Sequence, residues 1–164
     1  MSIADQFLAE IKHEAAITRK YLERVPQDKF DWQPHEKSMT LGRLASHLAE
    51  INGWVEMTIK ETEMKFDPAT FKPYLANSPA ELVATLDKGL TSAEKALAGV
   101  PDEALGVIWS LKAGDKVLFT MPRAAVLRGM MLNHTVHHRA QLGVYLRLLG
   151  VPVPATYGPS ADEQ

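Results

Sequence analysis

Apolar residues recur every three or four positions over four long segments of the chain, and this spacing predicts four amphipathic helices. The predicted helices span residues 2–24, 40–64, 78–98 and 121–150. Proline and glycine interrupt the pattern between them, because proline disfavours the helical conformation in the residue before it. Four such helices with one long connection predict an all-α fold, a four-helix bundle.

Capping residues support the start of three of these helices. Ser2 is followed by Asp5 in the manner of a loose capping box, and Thr40 is a suitable N-cap for the second helix. The clearest start is Ser78-Pro79-Ala80-Glu81, a capping box with proline in the first turn. The helix boundaries at these three sites are therefore the best-defined predictions of the pattern.

Two stretches depart from the helical pattern. Residues 107–120 contain two short apolar runs on either side of Ala113-Gly114-Asp115, which predicts a short extended or hairpin insertion before the last helix. Residues 151–164 are rich in proline and small residues, so we expect an extended or frayed C-terminal tail. The predicted organisation is one bundle domain, residues 1–150, followed by that tail.

Composition narrows the class of protein. The 164 residues suit a single domain, and 46% apolar with 23% charged residues is ordinary for a globular protein. A net charge of −2 with scattered basic residues argues against nucleic-acid and anionic-membrane partners. The chain shows neither a signal peptide nor a membrane-span pattern, so we expect a cytoplasmic protein whose partner is a small-molecule substrate.

The absence of cysteine excludes disulfides, thiolate metal sites and a cysteine nucleophile. Any metal must then be held by histidine nitrogens and carboxylate oxygens. The candidate residues are His134 and His138, which lie four apart on the last helix and so share one face, within or beside its apolar stripe. His137 lies about 100° around that helix, at its edge or in solvent.

His47 makes a metal site the economical interpretation. It lies in the middle of the second helix on its apolar stripe, where alone it would be an ordinary hydrogen-bonded core histidine. Three inward histidines on two helices form a three-nitrogen site, and water or substrate would complete the coordination. His13 and His35 have charged neighbours, and neither is assigned a role.

At these residues the chain resembles the DinB-like (YfiT-like) four-helix bundle family over nearly its whole length. The matching segments are "VPQDKFDWQP", "SMTLGRLASHLAEINGW" and "NHTVHHRAQLGVYLRLLG". By motif, the resemblance implies that His47, His134 and His138 are the metal ligands. Ala140 stands where the family frequently has glycine, a departure that leaves the ligands in place.

The resemblance also implies a class of function. Characterised relatives include metal-dependent thiol transferases and isomerases that act with low-molecular-weight thiols such as bacillithiol or mycothiol, and members are often homodimers. The expected cofactor is a divalent ion, zinc or nickel, which would activate a thiol for transfer to a small electrophile. Arg139, Gln141 and Tyr145 are candidates for orienting substrate, although helix capping, solvent contact or core packing explain them equally well.

Three alternatives remain open at the level of sequence. The first is a non-enzymatic stress-response bundle in which a structural metal pins two helices together. The second is a metal-free histidine cluster satisfied by water, and the third is a histidine pH switch. Metal content separates the metal-free cluster from the others, and a thiol-substrate screen separates catalysis from a structural metal.

Overall fold

The computed structural model describes all residues from Met1 to Gln164. The fold is mostly helical with a small three-stranded sheet. Its helices are α1 (Ile3–Leu22), α2 (Leu41–Glu50), α3 (Trp54–Lys60), α4 (Pro79–Leu97), α5 (Asp102–Leu105), α6 (Arg123–Val126) and α7 (His134–Leu148). Its strands are β1 (Glu63–Phe66), β2 (Ile108–Ala113) and β3 (Lys116–Pro122).

The helices pack around one apolar core. Helices α1 and α2 each pack against both α4 and α7, which places α4 and α7 on opposite sides of the α1–α2 pair. Leucine, isoleucine and alanine side chains from all four helices are fully buried between them. Burial of this continuous apolar surface is the main stabilising contribution to the fold.

The predicted capping residues begin their helices. Ser2 forms a complete capping box with Asp5, and the Thr40 hydroxyl accepts a hydrogen bond from the Arg43 N–H at 3.2 Å. Ser78 caps α4 in the same way, by accepting from the Glu81 N–H. The Glu81 carboxylate, however, accepts from the N–H of Asn77 rather than that of Ser78, so the predicted reciprocal box is only half formed.

The second predicted helix is interrupted in its middle and ends four residues early. A 3₁₀ turn, Ile51–Gly53, separates α2 from α3, and α3 ends at Lys60 rather than Met64. Asn52 and Gly53 are poor helix formers. Gly89 on α4 lies so close to this turn that a Cβ there would meet the Gly53 nitrogen at 2.9 Å. The interruption therefore coincides with a close approach between the two segments.

The all-α four-helix prediction is confirmed only in part. The hairpin formed by β2 and β3 is present at the predicted position, with Gly114 in the left-handed conformation at its turn. Strand β1, whose first two residues fall within the helix predicted for residues 40–64, pairs in parallel with β2 to complete the sheet. Its residues alternate between exposed and half-buried, as expected for a strand with one face against the core.

The last helical segment is also irregular. Residues Leu127–Asn133 form a π-helical stretch between α6 and α7, ending immediately before His134. Such widened turns are uncommon and often occur at functional sites. After α7, Tyr157 of the non-helical tail contacts Glu14 of α1 and Arg139 of α7. No helix combines the length and the apolar composition that crossing a bilayer would require.

Candidate metal centre

The three predicted histidines lie side by side where α2 faces α7. The Nε2 atom of His134 is 2.9 Å from that of His47 and 3.1 Å from that of His138. Each of the three rings offers one potential ligand atom, and these atoms lie within 4.8 Å of one another. His138 is buried, whereas His47 and His134 are partly exposed.

Neighbouring side chains one turn further along each helix hold two of the rings. Glu50 lies 3.0 Å from Nδ1 of His47, and the Gln141 amide oxygen lies 2.7 Å from Nδ1 of His138. A carboxylate only accepts hydrogen bonds, and so does an amide oxygen, so Nδ1 carries the hydrogen in both rings. Their Nε2 atoms then present lone pairs toward His134, and second-shell partners of this kind are usual around metal-binding histidines.

The pKa values of two rings are lowered. Burial, together with the nearby His138 and His47 rings, lowers the pKa of His134 to about 4. Burial likewise lowers the pKa of His138, although the Gln141 hydrogen bond partly opposes that shift. Both rings are therefore neutral at neutral pH, the state in which imidazole binds a metal.

The arrangement fits a divalent cation. With lone pairs on Nε2 of His47 and His138, one hydrogen on Nε2 of His134 cannot satisfy both neighbours well. Ligand nitrogens at about 2.1 Å from one ion are separated by roughly 3.0–3.4 Å, close to the 2.9 and 3.1 Å found for the two pairs that include His134. The donor set of three imidazole rings suits a divalent transition-metal ion.

A cleft of about 240 Å³ opens beside His47. Eleven of its fifteen lining residues are hydrophobic, and they come from α3, the sheet, the loop after β1 and the helical segment before His134. Arg43 and Glu50 form its polar end together with His47. Trp54 also lines the cleft, with its ring centroid 5.4 Å from that of His47 and 6.0 Å from that of His134.

The remaining histidines stay outside the cluster. His137 is exposed on α7, as the helical phase predicts, and its ring borders His138 at a centroid distance of 4.8 Å. His13 and His35 are exposed on α1 and in the loop before α2. The cluster therefore selects three of the chain's six histidines.

Of the candidate orienting residues, only Gln141 contacts the cluster. Arg139 points away from it and is buried against α1, where it pairs with the Glu14 carboxylate at 2.6 Å. Tyr145 is buried, and its hydroxyl donates to the Met39 carbonyl at 3.1 Å. Arg139 and Tyr145 thus support the fold around α7 rather than the site.

The sequence analysis did not identify three residues beside the cluster, namely Glu50, Arg43 and Trp54. A signal for one of them was present, because Glu50 follows His47 by three residues just as Gln141 follows His138. Residues three apart on a helix meet on one face, so a carboxylate or amide at that spacing can hold the ring. Arg43 precedes His47 by one turn and shares that face.

Comparisons with known proteins agree with this arrangement. The family model described as "DinB family" matches residues 1–164. YrdA, an uncharacterized protein of Bacillus subtilis (strain 168), is 27% identical over 163 residues, covering 97% of this chain and 90% of YrdA.

Solved structures of similar fold carry the same family description. A DinB-like protein from Bacillus cereus ATCC 10987 has a TM-score of 0.72 and 25% identity, covering 93% of this chain and 97% of its own. A DinB-like protein from Bacillus subtilis, YjoA, has a TM-score of 0.69 and 21% identity, covering 92% of this chain and 97% of YjoA. A protein described as a putative member of the DinB family, from Exiguobacterium sibiricum 255-15, has a TM-score of 0.65 and 20% identity. That match covers 94% of this chain and 97% of the Exiguobacterium chain.

Proposed function

The chain belongs to the DinB family, and on that premise we propose that it is a metal-dependent transferase. His47, His134 and His138 would bind one divalent ion, zinc or nickel. The ion would lower the pKa of a low-molecular-weight thiol so that its thiolate attacks a small electrophile at neutral pH. The thiol assignment rests on the family resemblance, and the metal on the geometry of the cluster.

One observation carries the proposal: the histidine cluster offers three protein ligands, and one of them, His47, lines a cleft. Structural zinc sites are usually closed by four protein ligands, whereas catalytic sites keep one position for water or substrate. Glu50 and Gln141 are occupied in holding His47 and His138. This leaves the open side of the cluster for a ligand from solution.

The protein side chains have separable roles in this scheme. Glu50 and Gln141 fix the ring orientation, so that the three Nε2 atoms stay converged. Trp54 would form an apolar wall of the cleft beside His47 and His134. The electrophile would lie in the cleft, where apolar walls exclude competing water. No side chain of this chain is needed as a separate nucleophile.

A thiol-conjugation assay on tag-free protein tests the proposal. We would load zinc or nickel and assay bacillithiol, mycothiol and glutathione with 1-chloro-2,4-dinitrobenzene. In the expected reaction the sulfur–carbon bond forms, chloride leaves with the bonding electron pair, and the thiol proton passes to solvent. We expect a metal-dependent rate that His138→Ala abolishes and that His137→Ala preserves.

A structural metal is the second candidate, because the ligands join two helices that pack together, α2 and α7. In that case chelation would lower the melting temperature with no activity to lose. Failure of every thiol to react above the metal-free background would favour this structural role.

We also propose a homodimer built on α7. Val144 and Leu148 are exposed one turn apart, at 58% and 61% of their surface, and form an unpartnered apolar patch on that helix. Light scattering with size-exclusion chromatography should report a dimer, and the Val144→Asp, Leu148→Asp double variant should be monomeric. A monomeric wild type at micromolar concentration would reject this assembly.

A further inference from the structure

The chemistry of the cleft beside His47 specifies what it can hold. Its walls contain aromatic rings from three different parts of the chain and an unusual share of methionine. The aromatic residues are Trp54, Phe66, Phe71, Trp109 and Phe119, and the methionines are Met57, Met64, Met130 and Met131. Such a surface favours flat apolar molecules, because aromatic pairs gain from offset and edge contacts.

The size of the cleft limits the occupant. An apolar cavity of about 150 Å³ accommodates a benzene molecule in an engineered protein. The cleft here is about 240 Å³ and is open on one side, so it has room for one substituted ring or two fused rings. The flexible methionine side chains allow the walls to adjust to substituents.

Two buried donors in the lining lack an acceptor. The indole Nε1 of Trp109 and the Nη1 of Arg43 are both buried without a hydrogen-bond partner. Trp109 is only 3% exposed, so solvent cannot easily supply one. Buried unpaired donors are costly in a folded protein and call for an explanation. Arg43 lies at the polar end of the cleft, so an oxygen acceptor on an occupant there can pair with its guanidinium.

Arg43 is short of acceptors for a second reason. Its Nη2 is 3.5 Å from Nδ1 of His47, but that nitrogen donates its hydrogen to Glu50 and has no lone pair to offer. The remaining contact is an ion pair with Glu50 at 3.6 Å, longer than a hydrogen bond. The guanidinium therefore retains donors at the polar end of the cleft.

We propose that the cleft binds a flat apolar molecule of one or two rings that carries a carboxylate. The rings lie among the aromatic and methionine side chains, and the carboxylate accepts from Arg43 at the end nearest His47. The inference rests on the proposed function in one respect, since this molecule would be the electrophile that the thiol attacks.

Binding to metal-free protein tests the assignment without any catalytic step. We would titrate 2-naphthoate and its neutral analogue 2-naphthamide by calorimetry at neutral pH. The charged hydrogen bond from Arg43 predicts roughly tenfold tighter binding of the naphthoate. Arg43→Gln should abolish that preference and leave the affinity for 2-naphthamide nearly unchanged. Equal affinities in wild type, or a preference that survives Arg43→Gln, would overturn the assignment.

A matched pair of leucine variants locates the bound ring. Leu111 lines the cleft and Leu118 is exposed on the neighbouring strand. Leu111→Trp fills the cleft and should weaken both naphthalene ligands at least roughly tenfold, whereas Leu118→Trp should weaken neither. Thermal unfolding checks that both variants fold. If Leu111→Trp does not fold, the comparison of wild type with Arg43→Gln decides whether the ligand binds in the cleft. Equal binding by both folded leucine variants would place the ligand elsewhere and overturn the proposal.

The two proposals fail in different ways. Naphthoate binding that depends on Arg43, in a protein that conjugates no thiol, would remove the transferase and leave the cleft assignment standing. Thiol conjugation in a protein that shows no such binding would do the reverse.

Discussion

Two polar clusters meet on α7, and they differ in how fully their hydrogen bonds are satisfied. His138 faces His47 and His134, whereas the next residue, Arg139, faces α1. There its guanidinium reaches the Glu14 carboxylate at 2.6 Å and the Tyr157 hydroxyl at 2.6 Å. The histidine cluster instead directs Nε2 lone pairs at one another beside an open cleft.

This difference indicates that the cluster around Arg139 stabilises the fold, whereas the histidine cluster can bind a ligand. The Arg139 cluster, meaning Arg139, Glu14, Thr18 and Tyr157, is complete within the chain, since Tyr157 donates to Glu14 and accepts from Arg139. Buried charges that are paired in this way hold elements in a fixed relation. The histidine cluster lacks the partner that would complete it, and a cation supplies that partner.

The largest expected loss of stability comes from breaking the complete cluster. Glu14→Gln leaves the Arg139 charge buried without a carboxylate, which should lower the free energy of unfolding by about 3 kcal/mol. Glu10→Gln is the matched control, because Glu10 lies one turn earlier on α1 and pairs with Arg128 at the surface. Its effect should stay below about 1 kcal/mol. Urea unfolding of both variants measures the difference, and equal losses would show that the buried pair contributes no more than the surface pair.

The next effect concerns the residues that hold the histidine rings. Gln141→Ala removes the acceptor of the His138 Nδ1–H and should weaken metal binding roughly 10–100-fold. Its free energy of unfolding without metal should change by less than about 1 kcal/mol, because the Gln141 side chain is exposed. Competition with a colorimetric chelator gives the affinity. Unchanged affinity would mean that the ring is held in place by packing alone.

A smaller effect is expected where the tail joins the complete cluster. Tyr157→Phe removes the hydroxyl that links Glu14 and Arg139, and should cost about 1 kcal/mol because the direct ion pair remains. Burial and the bond to Glu14 raise the pKa of Tyr157, so its hydroxyl keeps its hydrogen at neutral pH. Thermal unfolding measures the loss, with metal content as the control. A loss as large as that of Glu14→Gln would assign the stabilisation to the tail.

The features that the sequence predicts correctly depend on residues close together in the chain. The starts of α1 and α4 follow from the N-cap residues Ser2 and Ser78, which bond to backbone groups three residues further on. His134 and His138 share a helix face because they lie four positions apart. The convergence of His47 with this pair required the packing of α2 on α7. Sequence periodicity alone favours it only by placing each histidine on or beside an apolar stripe.

The features that the sequence did not predict depend on distant partners. Arg139 finds Glu14 across 125 positions of the chain, and nothing in its local sequence marks it as buried. Strand β1 was not predicted: Glu63 and Met64 were assigned to the end of a helix and the rest to the connection after it, although Glu63 to Phe66 alternate with a period of two. The cleft exists only because the sheet and the π-helical stretch enclose space beside α2 and α3.

Metal content of tag-free protein tests the central claim most directly. Elemental analysis of wild type, His47→Ala, His138→Ala and the exposed control His137→Ala compares cluster and non-cluster histidines under one purification. The account predicts about one divalent ion per chain in wild type and His137→Ala, and less than about a tenth of that in the other two, because each loses one of three ligands. A wild type without metal even after incubation with zinc or nickel, or equal metal in all four proteins, would contradict the account.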